Sequence, residues 1–568
     1  MKNKAETNFR ISAIVLLSLA TLCGCGGGSS SSDDGASSTS SGSTSGSGGS
    51  GSSSGGQGSY VPPIGIPAPG FGIEESYRMY DDAAARNPAL TYSQNSEGGY
   101  YTHYISDTGC TDSSNPYGTV TTPRCSVPTT IEEGSVVEVH GTTDGGQLIM
   151  TFNCTTARPC WFRGLDAAHR PLVRRETIVK GGYVILEHLH FDQGDNLGLR
   201  AHSSSTLHHA AVRDSELAQV NISGHAGYSF NNIVVYRNDI HLDNFVNTGA
   251  SSPEFPENDT HGVATGSYSD HVWILDNDIH DVAGDAVGNA HGANYTAHHY
   301  YIGRNRLHDT GENSVDFKEI EYLVVSQNKA YREYGPSSGS DGAAMVFHYG
   351  PSVAPKNAWI IFNEIYDCAD TGIQIGGDVT DPIYVIGNVI RGISNASGNA
   401  YAIRSWGAAD VHLIGNVLYD NDGGIDITGS SPNVLNMVDN IVAGIRNASA
   451  YHLIAADTAY HASAVLTNNL FHQSGGAARI HWGAVYDVAG LQGNTGKCAG
   501  CIEGDPRFAN PAGGDFSLGV GSPAIDAGIA SPLYDQYQQT FGVAIQVDFS
   551  GTPRPVGAGW DMGAFERQ

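Results

Sequence analysis

Basic residues are scarce in this chain. Lys and Arg number 29 against 58 Asp and Glu, for a formal net charge of −29 over 568 residues. No run of Lys or Arg occurs, and phosphate binding needs clustered cations, so nucleic acid and a bare anionic membrane surface are excluded as partners. Long apolar runs are equally scarce. The stretch 11–23 follows Lys2, Lys4 and Arg10, and it is too short to span a bilayer as a mature helix. It reads as an export signal. Unbroken helical stretches are missing as well. Across 231–485 Gly and Asn recur every 4–8 residues, too often for a helix to propagate. The apolar residues alternate instead, as at Ile373 and Ile375 around Gln374 and at Ile425 and Ile427 around Asp426, which is the strand period.

What the chain has is a repeat. WILDNDIHD (273–281), YIGRNRLHD (301–309), WIIFNEIYD (359–367) and HLIGNVLYD (412–420) each place apolar residues before an Asn and a polar turn after it. Weaker copies carry the same Asn at 238, 328, 388, 440 and 469, so that successive intervals are 39, 28, 23, 35, 25, 28, 24 and 29 residues. Self-similarity at roughly 20–50 residues marks a stacked-repeat architecture in which no repeat buries its apolar face alone. Short strands in irregular repeats suit a parallel β-solenoid with coils about 4.8 Å apart. The recurrent Asn is expected inside a bend, bonded to buried backbone and to the Asn of the next coil; exposed turn asparagines are the alternative.

Aligning the strands after the Asn turn gives an inward column of Val287, Val315, Met345, Ile373, Ile403 and Ile425. Side chains alternate along a strand, so the next residues point out: Gly288, Asp316, Val346, Gln374, Arg404 and Asp426. A second outward column holds Ala290, Lys318, His348, Gly376, Trp406 and Thr428. LGLRAH (197–202) adds Arg200 and His202 to these two columns if no strand is skipped. Lys318 and His348 then sit on adjacent coils, about 5 Å apart at the backbone, with Arg404 and Trp406 roughly 10 Å further along. An indole with Lys, Arg and carboxylates along one groove suits an extended sugar chain. Trp406, Asp316, Gln374 and Tyr349 are the candidate substrate contacts. Glu312, Glu319 and Asp341, with Asp378 nearby, are candidate ligands for a hard cation such as Ca²⁺. The bland reading makes Asp316 and Lys318 a surface ion pair, His348 incidental and Trp406 a cover for an apolar patch. The pairs His208-His209 and His298-His299 could bind a transition metal, but no helical or tight-turn ligand set accompanies them.

DPRF (505–508), SPAIDAG (522–528) and GWDMGAFE (559–566) resemble the closing segment of many bacterial right-handed parallel β-helix proteins. The expected fold is therefore all-β, a right-handed parallel β-helix with an N-terminal cap and a non-repetitive C-terminal segment. GENSVDFKE (311–319) is similar to the way β-helix polysaccharide lyases group acidic residues and a Lys on one coil. That resemblance implies β-elimination from a uronic acid residue, with Lys318 as base, its pKa lowered, or His348 as base if Lys318 stays charged. His348 is otherwise the acid, and Arg404 holds the substrate carboxylate. The spacing of Glu312, Asp316 and Lys318 departs from the chondroitinase B-like, alginate lyase and family 9 pectate lyase patterns, so no family's full site is carried over. A glycosidase needs paired carboxyls, and the column offers Asp316 and Asp426 with three coils between them, beyond such a pair's reach of about 5–10 Å. An acidic polysaccharide is the expected partner of a monomeric enzyme, although an acidic protein repels a polyanion unless cations such as Ca²⁺ screen it. A non-catalytic glycan-binding or envelope protein and a uronate C5-epimerase are the alternatives.

Leu22-Cys23-Gly24-Cys25, between the apolar run and a Gly/Ser tract, resembles the lipobox of bacterial lipoproteins. This implies a signal peptide over 1–24, lipidation of Cys25, and membrane contact through that anchor alone; an ordinary secretory signal is the alternative. Gly26 rather than Asp follows, so in a Gram-negative host the expected address is the outer membrane, facing periplasm or cell surface. Residues 25–59 read as a flexible tether. The cap is expected over 60–130, with a short helix near 76–88, the solenoid over 131–490 and the closing segment over 491–568. An exported chain with closely spaced cysteines reads as disulfide-bonded. Proximity pairs Cys110 with Cys125, Cys154 with Cys160 and Cys498 with Cys501, and leaves Cys368 as a buried thiol. A redox role for Cys498 and Cys501 would need a βαβ context that the sequence does not show.

Overall fold

A computed structural model describes residues 59–192, 196–200, 205–242, 260–289, 297–318, 320–334, 342–348, 356–376, 381–406, 410–428 and 434–568, with the side chains of Arg200, Asn289 and His348 excepted. Cys25, Glu319, Asp341, Tyr349, His202 and Asp378 lie outside the described residues, as does the segment 1–58.

Between His103 and Glu503 the chain winds as a right-handed parallel β-helix, as the periodicity predicts. Each coil contributes one strand to each of three sheets. Sheet A holds Val287–Asn289, Val315–Phe317, Met345–His348, Thr371–Gly376, Tyr401–Trp406 and Gly423–Thr428, all in parallel register. Sheet B follows it along the chain and includes Asp270–Leu275, Ala297–Gly303, Ile320–Ser326 and Lys356–Ile361. Sheet C comes after the Asn turn and stacks fourteen strands, from Thr142–Asp144 to Ile502–Glu503.

The repeating Asn is the internal spine. Asn238, Asn277, Asn305, Asn328, Asn363, Asn388, Asn416, Asn440 and Asn469 are all buried. Each carboxamide oxygen from Asn277 onward accepts both the backbone N–H and the side-chain amide of the preceding Asn, at 2.9–3.1 Å. The same amide donates to a backbone carbonyl, as Asn363 does to Val325 at 2.9 Å. A bend that would strand polar backbone in the core is satisfied coil by coil.

The inward column is as predicted. Val287, Val315, Met345, Ile373, Ile403 and Ile425 are fully buried and stacked in register. The earlier coil is shifted by two residues relative to expectation. Leu197 rather than Leu199 aligns through Val220 and Val263 with Val287. That puts Gly198 in the first outward column and Arg200 in the second. Leu197 and Leu199 both point inward, so a period of two cannot distinguish the registers.

A second apolar layer lies outside sheet B, where Trp161, Ile185, Trp273, Tyr301, Trp359 and Tyr384 join a separate cluster. Two segments cover it. Residues 60–80 run lengthwise along the sheet, from the Tyr60 hydroxyl donating to Asp276 at 3.0 Å to the Tyr80 hydroxyl donating to the Pro159 carbonyl at 2.6 Å. Helix α2 (Leu533–Phe541) lies beside them, and its Tyr537 hydroxyl donates to the Gly65 carbonyl at 2.7 Å. The segment expected to cap the first coil covers a sheet face. It holds one 3₁₀ turn, Tyr77–Asp81, and the first parallel strand, His103–Ser106, which pairs with Val136–His140. At the other end, helix α1 (Val488–Thr495) starts on an Asp487 cap and buries Val488 and Leu491 against the last coils. The three expected disulfides are formed, and Cys368 is a buried free thiol. Among the described residues no helix is long and apolar enough to cross a membrane.

Candidate functional site

The first outward column of sheet A is in the predicted register, and so are the paired members of the second. Asp316 lies opposite Val346, then Gln374, Arg404 and Asp426 follow in line. Lys318 directly follows the strand, next after the Phe317–Phe347 pair; His348 pairs with Gly376, and Trp406 with Thr428. The side chains gather into two groups and a platform.

The first group is centred on Lys318. Its ammonium donates to the Asp316 carboxylate, and the other Asp316 oxygen is buried without a hydrogen-bond partner. One coil earlier, the Asp285 carboxyl folds over Gly288, the residue in register with Asp316. A methyl group on Gly288 would stand 2.4 Å from Asp285 Oδ2. Gly288 leaves room for that carboxyl, so the fold places two carboxyls on adjacent coils. The Asn313 N–H donates to Asp285 Oδ1 at 3.1 Å. The Asp285 N–H donates to His261 Nδ1 at 3.0 Å, and Asp285 Oδ2 is 3.3 Å from that nitrogen.

Electrostatics give the two sides of this group different states. Burial, then the negative charges of Asp316 and Glu312, push the Asp285 carboxyl well above the ordinary carboxylate range, against the opposing pull of Lys318. A protonated carboxyl is a proton donor. Burial alone would lower the Lys318 pKa, but Asp316, Asp285 and Glu312 outweigh it and hold the ammonium above its ordinary value. A basic Lys318 would need a lowered pKa; the carboxyls around it act the other way.

The second group surrounds Arg404. Its guanidinium lies 3.4 Å from Asp426 Oδ2 and 3.7 Å from Asp370 Oδ2, and it donates to the Asn399 carbonyl at 3.0 Å. It also sits 5.0 Å from the centre of the Tyr401 ring. Burial pushes the Asp426 carboxyl upward, with Arg404 opposing. Arg404, expected to meet a substrate carboxylate, already carries two protein carboxylates. The platform is Trp406, half-buried, with its indole across Gly376. Gln374 is half-buried in the column between the groups.

Of the predicted site residues, Asp316, Lys318 and Glu312 come together. Trp406, Gln374 and the His348 backbone share their face, and Arg404 forms its own ion-paired group. Sequence reasoning missed Asp285 and His261. Asp285 precedes its strand and so falls outside the period-two columns. The signal was Gly288, an outward residue with no side chain beside Asp316.

No protein-family model and no curated protein matches the sequence. Solved structures do. The periplasmic alginate epimerase AlgG matches at 11% identity over 61% of this chain and 66% of that chain, with a TM-score of 0.26. This chain thus spans just under two thirds of the epimerase's length. Pectate lyase Pel9A matches at 12% identity over 82% and 96%, with a TM-score of 0.34. A mutant of AlyGC, an alginate lyase of family 6, matches at 11% over 69% and 53%, with a TM-score of 0.35. At these scores the likeness carries no argument about the site.

Proposed function

We propose that the outward face of sheet A binds an acidic polysaccharide and cleaves it by β-elimination at a uronic acid residue. The observation that carries this reading is a carboxyl pushed toward its neutral form at Asp285 beside a fixed ammonium at Lys318, on adjacent coils of one face. Elimination needs a cation at the C5 carboxylate, a base for the C5 proton and an acid for the leaving oxygen. Lys318 supplies the cation, because its carboxylate neighbours keep it protonated. Asp285 supplies the proton for the leaving oxygen. His348, one coil along in the column of Lys318, is the base. Trp406 and Gln374 hold the flanking sugars, and Arg404 fixes the wall through Asp370 and Asp426. Tyr349 is a further sugar contact in this scheme. Glu312, Glu319 and Asp341 are the residues that would take a Ca²⁺ ion, which would offset the acidic surface toward a polyanion. Cys25, once lipidated, anchors the enzyme to the outer membrane, and the mass of the mature N-terminal peptide tests that part.

The pair Asp285 and Asp316 supports hydrolysis as a second reading. The Asp285 carboxyl lies over Gly288, whose register partner is Asp316, and a retaining glycosidase uses two carboxyls about 5–5.5 Å apart, with the neutral one as acid. One experiment separates the readings. The full chain is incubated with alginate, pectate and glycosaminoglycans, with Ca²⁺ and with chelator, while the absorbance of unsaturated uronate and the reducing ends are followed together. A rise in both, lost in Lys318→Ala, establishes elimination. Reducing ends alone establish hydrolysis. Solvent deuterium at C5 without cleavage identifies an epimerase. Binding with none of these makes the chain a glycan-binding protein, and elimination that survives Lys318→Ala sinks the assignment of Lys318.

A further inference from the structure

The His298-His299 pair found in the sequence is not used by the sheet A site. It lies at the start of sheet B, in Ala297–Gly303, and its register partner one coil earlier is Asp270, which opens Asp270–Leu275. Consecutive residues of a regular strand point to opposite faces. Here His299 has φ +58°, and so has its counterpart His271 at +53°. The resulting kink turns both rings of the pair to one side, and His298 Nδ1 comes within 2.9 Å of His299 Nδ1. Asp270 Oδ1 stands 2.9 Å from His298 Nδ1 and 3.5 Å from His299 Nδ1.

We propose that Asp270, His298 and His299 form a binding site for a divalent transition-metal ion of the zinc class. The ligand spacing carries the proposal. Ligands held about 2.05 Å from one Zn²⁺ lie about 2.9 Å apart at a right angle and about 3.3 Å apart in a tetrahedron. The separations of 2.9, 2.9 and 3.5 Å span those values. Two imidazole nitrogens and one carboxylate are also the donor set that suits zinc more than Ca²⁺, which takes oxygen ligands. His271 completes the surroundings. Its Nδ1 faces Asp270 Oδ1 and its ring stacks on His299 at 4.5 Å, while His299 stacks on Tyr322 at 4.8 Å. Such neighbours hold ligands in orientation. A cleft of about 230 Å³, lined among others by His225, Tyr228, Asn231 and Tyr268, opens on Asp270 and His298. It leaves coordination positions for water or for a small donor ligand.

The fold contains its own control. His208 and His209 form the same kinked pair, with φ +49° at His209 and 3.1 Å between Nδ1 atoms. Their register neighbours are Gly182 and Asn231, so no carboxylate arrives from either adjacent coil. Among the described residues the Asp270 group alone brings three ligands within 4.8 Å of one another.

The test uses the full chain without a histidine tag, stripped with chelator and titrated with Co²⁺ while its visible absorption is followed. The expected result is one Co²⁺ per chain, displaced by Zn²⁺ but not by excess Ca²⁺. The band should persist in His208→Ala, weaken in Asp270→Asn and vanish in His298→Ala/His299→Ala, with melting curves confirming that each variant is folded. Asp270→Asn keeps the side-chain shape and decides the matter if the double variant does not fold. Absence of the band in the parent chain overturns the proposal, and so does a band unchanged in Asp270→Asn and His298→Ala.

Discussion

The indole of Trp406 lies flat across Gly376, so close that a methyl group at Gly376 would stand 2.5 Å from Trp406 Cζ2. The glycine thereby sets the tilt of the indole in the outward column. Gly376→Ala is expected to lift the indole and weaken glycan binding by about 1 kcal/mol, roughly fivefold in Kd. Stability should change little, because the half-exposed ring can move. Titration calorimetry with oligouronates measures the loss. If neither Gly376→Ala nor Trp406→Ala alters binding, the ring is not a sugar platform.

Arg404 is expected to behave as a structural cation. Asp426 is 6% exposed, one of its oxygens has no hydrogen-bond partner, and Arg404 is the charge that opposes the burial shift. Removing one partner of a buried pair leaves an uncompensated charge. Arg404→Ala should therefore lower unfolding stability by about 2 kcal/mol, discounted from the about 3–5 of a fully buried pair because the guanidinium is partly wet. The Asp426 carboxyl would then sit further above its unfolded value, so the deficit should grow as pH rises through that window. Arg404→Ala/Asp426→Asn should recover most of it in urea titrations. A loss confined to KM, with stability intact, would return Arg404 to substrate binding.

The solenoid and its face are legible in the sequence for one reason. The Asn turn repeats, and residues counted from it inherit register, so counting alone stacks Val315, Met345 and Ile373 in one column. The count fails where side chains leave the strand. Asp285 reaches its place by folding back over Gly288, and His299 by a left-handed kink. Neither is a period-two position. The count puts Lys318 beside Asp316 but does not give its protonation state, because a pKa depends on every titratable group facing it, and Asp285 is a neighbour that the count leaves out.

The Asn ladder should be strongest in its middle. Asn363 accepts from the backbone and side chain of Asn328, both at 3.0 Å, and donates to the Asn388 oxygen and the Val325 carbonyl, both at 2.9 Å. Each buried group left unpaired is worth about 1–3 kcal/mol. Asn363→Ala is expected to destabilise the fold by roughly 3 kcal/mol or more. Asn469→Ala should be milder: Asn469 Oδ1 accepts from Asn440 in the same way, but its amide donates on to backbone carbonyls and, at 4.0 Å, to Cys501 Sγ rather than to a further Asn. Chemical denaturation of both variants checks the order; equal effects would mean that the ladder is not cooperative.

Asp439 should make the closing segment pH-sensitive. It follows the sheet B strand Leu435–Val438, and its Oδ2 accepts the Ile529 N–H at 2.9 Å while its Oδ1 has no partner. Burial pushes its pKa up to about 7, with the Ile529 bond and Arg554 opposing and Glu566 adding to the rise. A carboxyl whose folded pKa lies above its unfolded value binds its proton more tightly in the native state. Its effect on stability is therefore nil below the unfolded value of 3.8, grows more unfavourable as pH climbs to about 7, and is level above that. The full span is about 4 kcal/mol if no neighbour responds. Asp439→Asn should remove this slope and be more stable than the parent chain above neutrality, with no advantage in acid. Asp561 and Glu566 are also pushed upward by burial, so a shallower slope of the same sign should remain. Urea midpoints across the acid-to-neutral range measure both chains, and parallel pH profiles would show that Asp439 does not carry the titration.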